Sequence, residues 1–132
     1  MDLLARRGLL ETTPAPAASG DFVVVLESRL RHAEPSDRII VRLRYIPDRR
    51  LVSARSLDRY LAALAEENPA SLEAAAIVFL NDINNELVPR WAQVTFRATE
   101  TSDGEEIIHE IVAEDRQPNW DNPDLLSRIP SS

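Results

Sequence analysis

A small set of side chains in this sequence could act as acids and bases. Asp37 closes a Pro-Ser turn that also contains His32, and Glu73 lies at the predicted start of a helix. Carboxylates and an imidazole suffice for proton transfer on a polarised ring. One interpretation is therefore a non-covalent acid/base enzyme that uses Asp37, Glu73 and His32. Asp37 can equally be a structural residue of its turn.

Cysteine chemistry is closed to this chain, because the sequence contains no cysteine. Disulfides, thiolate zinc sites, iron-sulfur clusters and thiol nucleophiles are thereby excluded. The two histidines, His32 and His109, would need a third ligand to bind zinc, so no metal site is predicted. His109 lies between Ile107 and Ile111 on an apolar strand face, which favours a hydrogen-bonded interior or interface histidine.

The composition is that of one globular domain. The 132 residues are 44% apolar and 28% charged. A formal charge of -7 argues against nucleic acid as the main partner, because phosphates would be repelled. No stretch approaches about twenty apolar residues and no secretory signal is recognisable, so we expect no membrane partner and a cytoplasmic location. Small molecules or other protein chains are the expected partners.

Apolar periodicity predicts four strands and two helices in the order ββααββ. The expected fold class is α+β, with a four-stranded antiparallel sheet and both helices on one face. Ser71 is the expected N-cap of the second helix, and Asp103-Gly104 is the expected hairpin turn between the last two strands. The predicted strands are residues 21–32, 38–46, 91–99 and 105–114, and the predicted helices run from Leu57 to near Asn68 and from Ser71 to about Val88.

The two ends of the chain lack a sustained apolar period. Residues 1–20 are predicted to be a flexible arm, with a short helix that docks on a neighbour as the alternative, carrying Leu3, Leu4, Leu9 and Leu10. Residues 21–115 form the predicted domain. Residues 116–132 are predicted to be a tail pinned by Trp120 and Leu125-Leu126. The sheet would keep open edges, which tend to pair with other chains, so a homo-oligomer is expected.

The first predicted hairpin places four arginines on the face opposite its apolar one, namely Arg29, Arg31, Arg42 and Arg44. This face can bind anions, for example as the lining of a central channel. It can also be a solvated or salt-bridged strand face.

A short segment resembles a known enzyme family. Tyr45-Ile46-Pro47-Asp48, then Leu51 to Leu57 (Leu-Val-Ser-Ala-Arg-Ser-Leu) and Tyr60-Leu61, are similar to the 7-cyano-7-deazaguanine reductase (QueF) family of queuosine biosynthesis. The similarity covers roughly residues 27–96. It implies the tunnelling fold (T-fold), assembly into oligomers through sheet edges, and NADPH-dependent reduction of a nitrile through a thioimide.

The resemblance places the family's nucleophilic cysteine at Leu30 and its proton donor at Asp37. A leucine has no heteroatom and cannot attack a nitrile carbon. Nitrile reduction by the family mechanism is therefore excluded for this sequence.

The family's cofactor motif corresponds to Ser53 through Tyr60, with Arg55 and Ser56 at the cofactor-binding positions. Asp58 stands where the family has a second lysine, which inverts the charge. No cofactor is therefore expected, and NADPH would bind only if the altered motif still holds it.

The family's substrate-anchoring glutamate coincides with Glu73, although Leu72 replaces the neighbouring histidine. A carboxylate there can accept two hydrogen bonds from the N–H edge of a purine-like or pterin-like ring. Alternatively, Glu73 only complements the positive end of the helix.

Three functional hypotheses follow from these residues. The first is a QueF-like T-fold protein without nitrile reductase activity, a pseudoenzyme that binds a purine- or pterin-like heterocycle or serves as a structural subunit. The second is the acid/base enzyme described above, acting on such a ring. The third is a protein-interaction module that uses its terminal arms.

Overall fold

The computed structural model describes residues 2–30 and 38–130, which form two antiparallel sheets and four helices. Within these residues, every helix is too short or too polar to span a bilayer. The elements in chain order are α1 (Leu3–Gly8), β1 (Thr12–Pro14), β2 (Val24–Leu30), β3 (Arg38–Ile46), β4 (Arg50–Val52), α2 (Ala54–Glu66), α3 (Leu72–Leu87), β5 (Trp91–Ser102), β6 (Glu105–Arg116) and α4 (Pro123–Arg128).

The main sheet has the strand order β2-β3-β5-β6, and every neighbouring pair is antiparallel. With α2 and α3 between the two hairpins, the series is ββααββ, which confirms the predicted α+β class and order. The short sheet of β1 and β4 and helix α4 were not predicted, and a helix at the position of α1 was predicted only as an alternative.

Alternation along the strands gives the main sheet two different faces. One cross-strand row is apolar and faces the helices: Leu26, Leu43, Val94 and Ala113. The next row points to the opposite face: Glu27, Arg42, Thr95 and Val112. At the β5–β6 turn, Asp103 and Gly104 have φ of 51° and 79°, the positive values that the predicted tight hairpin turn requires.

Serine caps begin both central helices. The Ser53 hydroxyl accepts from the Ser56 backbone N–H at 3.1 Å, and the Ser71 hydroxyl accepts from the Ala74 N–H at 3.0 Å. The predicted Ser71 cap is therefore confirmed. Helix α3 ends at Leu87; its C-cap, Val88, has a left-handed φ of 45°, and Pro89 follows.

Aromatic rings form the centre of the core between the helices and the sheet. Phe79 of α3 contacts Tyr60 of α2 at a centroid distance of 5.4 Å and Phe96 of β5 at 5.8 Å. All three side chains are fully buried. Burying a side chain of this kind contributes about 1.5–3 kcal/mol, so this contact fixes both helices on one face of the sheet.

The N-terminal segment packs against the rest of the chain, in contrast to the predicted flexible arm. Strand β1 pairs with β4, and Leu10 is buried in the core. In α1, Arg6 Nε donates to Asp82 Oδ2 at 2.7 Å, and another Arg6 nitrogen donates to Glu67 Oε2 at 2.9 Å. These carboxylates lie 76 and 61 residues away in sequence, so no local sequence pattern predicts that Arg6 binds them.

The predicted alternative for this segment, a short leucine-bearing helix, is closer to what forms. Helix α1 is present, but Leu9 and Leu10 pack against the core of their own chain while Leu4 stays exposed. The division of the chain at residues 20 and 115 stays a prediction.

The C-terminal segment is held by a carboxylate near the start of β2. Trp120 Nε1 and Asn122 Nδ2 donate to Asp21 Oδ2 at 3.2 and 3.1 Å, and Arg90 donates to Asp21 Oδ1 at 2.5 Å. Trp120 therefore anchors the tail, as the sequence suggested. Burial opposes ionisation of Asp21, but these three donors outweigh it and lower the pKa of the carboxyl.

Candidate functional site

Glu73 lies in the first turn of α3, where helix amide groups have no partner within the helix. Its own backbone N–H is the main cause that lowers the pKa of this carboxyl. Slight desolvation opposes that effect, and a hydrogen bond from His109 adds to it. Glu73 is therefore ionised at neutral pH and presents oxygen atoms that only accept hydrogen bonds.

His109 reaches Glu73 from a different element. It lies on β6 opposite Ala98, on the helix-facing side of the sheet. Its Nε2 is 3.3 Å from Glu73 Oε2, and the two side chains are 45% and 57% exposed. His109 is thus hydrogen-bonded, as expected, but it is not an interior residue of this chain. A hydrogen-bonded pair this exposed contributes little to stability and stays open to a ligand.

His109, the partner of Glu73, lines a cavity of about 210 Å³. Its walls come from the ends of β2 and β3, the start of α3 and the β5–β6 hairpin, and include Leu30, Ile39, Ser71, Leu72, Ala98 and His109. Small-molecule sites are typically about 300–1,000 Å³. The described residues therefore enclose only part of a site for a ring-sized ligand.

Leu30 is 5% exposed and belongs both to the core and to the wall of this cavity. It is the position that the resemblance assigns to the nucleophile. The structure thus brings this position and the Glu73–His109 pair to one place. The Leu30 side chain can offer apolar contact there and no covalent chemistry.

Asp37 and His32 lie outside the described residues, so their predicted acid and base roles stay predictions. Among residues 2–30 and 38–130, no group of three or more His, Asp or Glu side chains is arranged to hold a metal ion.

The two predicted cofactor positions lie at the start of α2, away from the walls of this cavity. Arg55 is exposed. Ser56 is fully buried; its hydroxyl donates to the Ser53 carbonyl at 2.9 Å and accepts from the Glu11 N–H at 3.0 Å. That hydroxyl therefore stabilises the junction with the N-terminal segment, and a cofactor role for either residue stays a prediction.

Sequence reasoning did not connect His109 with Glu73. A signal was available, because the Asp103-Gly104 turn fixes the register of the last hairpin and places His109 opposite Ala98. The position of α3 over that hairpin could not be predicted from the sequence. The packing of Phe79 on Phe96 sets that position.

The sheet order and the two helices on one face define this chain as an α+β protein of the T-fold type. No protein-family model matches it. It is 32% identical over 89 residues to the NADPH-dependent 7-cyano-7-deazaguanine reductase of Acidithiobacillus ferrooxidans, with the same values for two strains. The match covers 67% of this chain and 60% of the relative.

This similarity supports a relationship to the QueF family, in agreement with the resemblance around residues 45–61. The chain spans only 60% of the length of these relatives. The activity in the name of these relatives is therefore stated of them alone.

Proposed function

We propose that this chain is a T-fold relative of the 7-cyano-7-deazaguanine reductases that binds a purine- or pterin-like heterocycle without reducing a nitrile. One observation carries the proposal. The exposed Glu73 carboxylate contacts His109 at the edge of a cavity whose wall contains Leu30, the position matched to the nucleophile.

The chemistry of this place suits a flat polar ring. A guanine-like edge presents two N–H donors, and a carboxylate can accept both. Leu30, Leu72 and Ala75 supply apolar walls for the faces of the ring. Contacts to Glu73 would give orientation, and the apolar walls would give affinity.

The missing reductase chemistry follows from two substitutions. Leu30 cannot form the covalent intermediate. At the cofactor positions, Asp58 brings a negative charge and accepts a hydrogen bond from the Ser28 hydroxyl at 3.1 Å. Both features support a protein that binds without NADPH.

A homo-oligomer in the cytoplasm completes the proposal. Strands β2 and β6 are the two edges of the main sheet, and each can pair with another copy. A neighbouring subunit placed there would enlarge the partial cavity into a full site.

Calorimetric titration tests the binding. Guanine, pterin and a deazaguanine analogue are titrated into wild type, Glu73→Gln and the control Glu86→Gln, whose carboxylate lies at the other end of α3. We expect Glu73→Gln to weaken binding by about tenfold or more, the loss of a charge-assisted hydrogen bond, and Glu86→Gln to bind like wild type. No binding by wild type, or equal binding by both variants, would reject the proposal.

Two further measurements address the assembly and the chemistry. Light scattering should give a mass that is a multiple of the 14.8 kDa chain. A mass of a monomer alone would contradict the proposed oligomer. Mixing the protein with NADPH and a deazaguanine nitrile should leave the NADPH absorbance unchanged. Consumption of NADPH would show that the protein reduces the nitrile and would contradict the proposal.

The contact between Glu73 and His109 favours one second candidate, a non-covalent acid/base enzyme. An imidazole and a carboxylate 3.3 Å apart can exchange a proton with a bound ring. Exchange of ring hydrogens for deuterium, followed by NMR, separates the two functions. Exchange that depends on His109 indicates catalysis, and binding without exchange indicates the binding protein.

A further inference from the structure

A larger cavity, of about 570 Å³, opens on the sheet face that the central helices do not cover. Its volume is within the range of about 300–1,000 Å³ typical of small-molecule sites. Its apolar wall joins the start of β2 to the C-terminal segment and includes Phe22, Val23, Val25, Leu125 and Ile129. Three arginines, Arg42, Arg44 and Arg128, line the same space.

Arg44 is the central charged group of this cavity and is only 5% exposed. Its guanidinium donates to neutral acceptors, the Gln93 side chain and the Pro130 carbonyl. Within residues 2–30 and 38–130, neither Arg44 nor Arg42 nor Arg128 forms an ion pair with a carboxylate. A buried charge without a counter-charge is unfavourable unless an ion of opposite sign binds beside it.

The electrostatics of Arg44 agree with this geometry. Burial lowers the pKa of its guanidinium, and the neighbouring positive charge of Arg42 lowers it further. Both effects disfavour the charge of Arg44, and the attraction of an anion in the cavity would offset them.

Two carboxylates near Arg44 have hydrogen-bond partners of their own, and Glu27 lies opposite Arg42 on β2. Glu114 attracts Arg44 less than burial and Arg42 oppose its charge, and Glu114 Oε2 accepts from Trp91 Nε1 at 3.1 Å and from Arg116 at 3.4 Å. Asp21, which lines the cavity, is held by Arg90, Trp120 and Asn122. The cavity therefore has a surplus of positive charge in a chain whose net charge is -7.

We infer that this cavity is a binding site for a small organic anion, a phosphate or carboxylate group attached to an apolar body. The anionic oxygens lie between Arg42, Arg44 and Arg128, since guanidinium groups match carboxylate and phosphate geometry. The apolar body lies against Val25 and Leu125. The burial of Arg44 favours the anion-binding interpretation of this arginine face over the solvated or salt-bridged one.

This site lies on the opposite face of the sheet from the Glu73 cavity. Val25, Arg42 and Arg44 alternate with the residues that face the helices, and Leu30 belongs to that other set. The inference therefore stands independently of the proposed heterocycle site, and Glu73→Gln should not affect it.

The test uses phenyl phosphate and benzoate as probes, with phenol as the uncharged comparison. Each is titrated calorimetrically into the full chain, into Arg42→Gln, into Arg128→Gln and into Arg59→Gln. The first two variants change partly or fully exposed side chains, so the fold is expected to survive. Arg59→Gln is the matched control, because it removes one positive charge from α2, where Arg59 pairs with Glu11 at 3.1 Å.

We expect at least one anionic probe to bind saturably and more tightly than phenol. Arg42→Gln and Arg128→Gln should each weaken that binding by about tenfold, the loss of one charge-assisted contact. Arg59→Gln should leave it unchanged, and about 1 M NaCl should weaken it by screening. Phenol binding as tightly as both anions, no saturable binding, or equal affinity in all three variants would overturn the inference.

Discussion

Two carboxylates of helix α3, those of Asp82 and Glu73, are in opposite situations. Asp82 is fully buried and accepts from Arg6, Arg7 and Tyr60. Glu73 is 57% exposed and, besides its own backbone N–H, contacts His109. Both carboxyls have a lowered pKa, but for different reasons. The buried one is held by two guanidinium groups and a phenol, and the exposed one mainly by the amide at the start of its helix.

This difference distinguishes a carboxylate that stabilises the fold, Asp82, from one that is available to a ligand, Glu73. Every strong donor around Asp82 comes from the chain itself, so the group has little left to offer a ligand. Asp82 fastens α1 and α2 to α3. Glu73 has free acceptor capacity and contacts His109, which lines a cavity, and this is the arrangement a binding residue needs. A lowered pKa by itself does not distinguish the two.

The largest expected effect is at Asp82. Asp82→Ala would leave Arg6 buried without its main partner, and breaking a buried ion pair costs about 3–5 kcal/mol. Urea unfolding followed by circular dichroism measures the loss, and Asp82→Asn tests it with little change of side-chain size. A loss below about 1 kcal/mol for both variants would contradict the structural role, since that is the scale of exposed pairs.

A smaller effect is expected at Tyr60. Its hydroxyl donates to Asp82, and Tyr60→Phe removes that donor while keeping the buried ring. The expected loss in the free energy of unfolding is about 1.5–3 kcal/mol, the scale of a hydrogen bond to a charged group. In Asp82→Asn the same change should cost less. Equal losses in both backgrounds would show that the two residues are not coupled.

The stabilising contribution of Asp82 should be lost at low pH. Burial opposes ionisation of Asp82, but hydrogen bonds from Arg6, Tyr60 and Arg7 lower its pKa below the ordinary 3.8. Its contribution to stability is therefore complete above that value and is lost as pH falls through the lower folded-state pKa. Below about pH 4, wild type should lose Tm more steeply than Asp82→Asn. Parallel Tm profiles would contradict this.

The smallest effect on stability is expected at Glu73. Its pair with His109 is exposed, so Glu73→Gln should leave the urea midpoint unchanged. The same variant should lose heterocycle binding. A clear loss of stability together with normal binding would assign Glu73 to the helix start alone.

The elements that sequence predicted best are those with local signals. Proline after Val88, the Ser71 cap and the Asp103-Gly104 turn each act within a few residues, and the structure confirms the helix end, the cap and the turn. Strand alternation worked equally well because one sheet face is covered and the other is not.

Contacts between distant segments escaped prediction. Arg6 reads as an ordinary charged residue in a proline-containing arm, and only its partner 76 residues away makes it structural. The same holds for His109, whose role depends on where α3 settles on the sheet. Periodicity identifies which residues face inward, but it does not say which charges meet there.

The anchoring of the tail by Trp120 gives the molecule an optical reporter. The chain has two tryptophans, and the other, Trp91, is buried in β5. In Trp91→Phe, emission comes from the indole that rests on Asp21 beside the arginine cavity. Fluorescence can then follow detachment of the C-terminal segment separately from melting of the sheet, and can show whether an anion holds that segment in place.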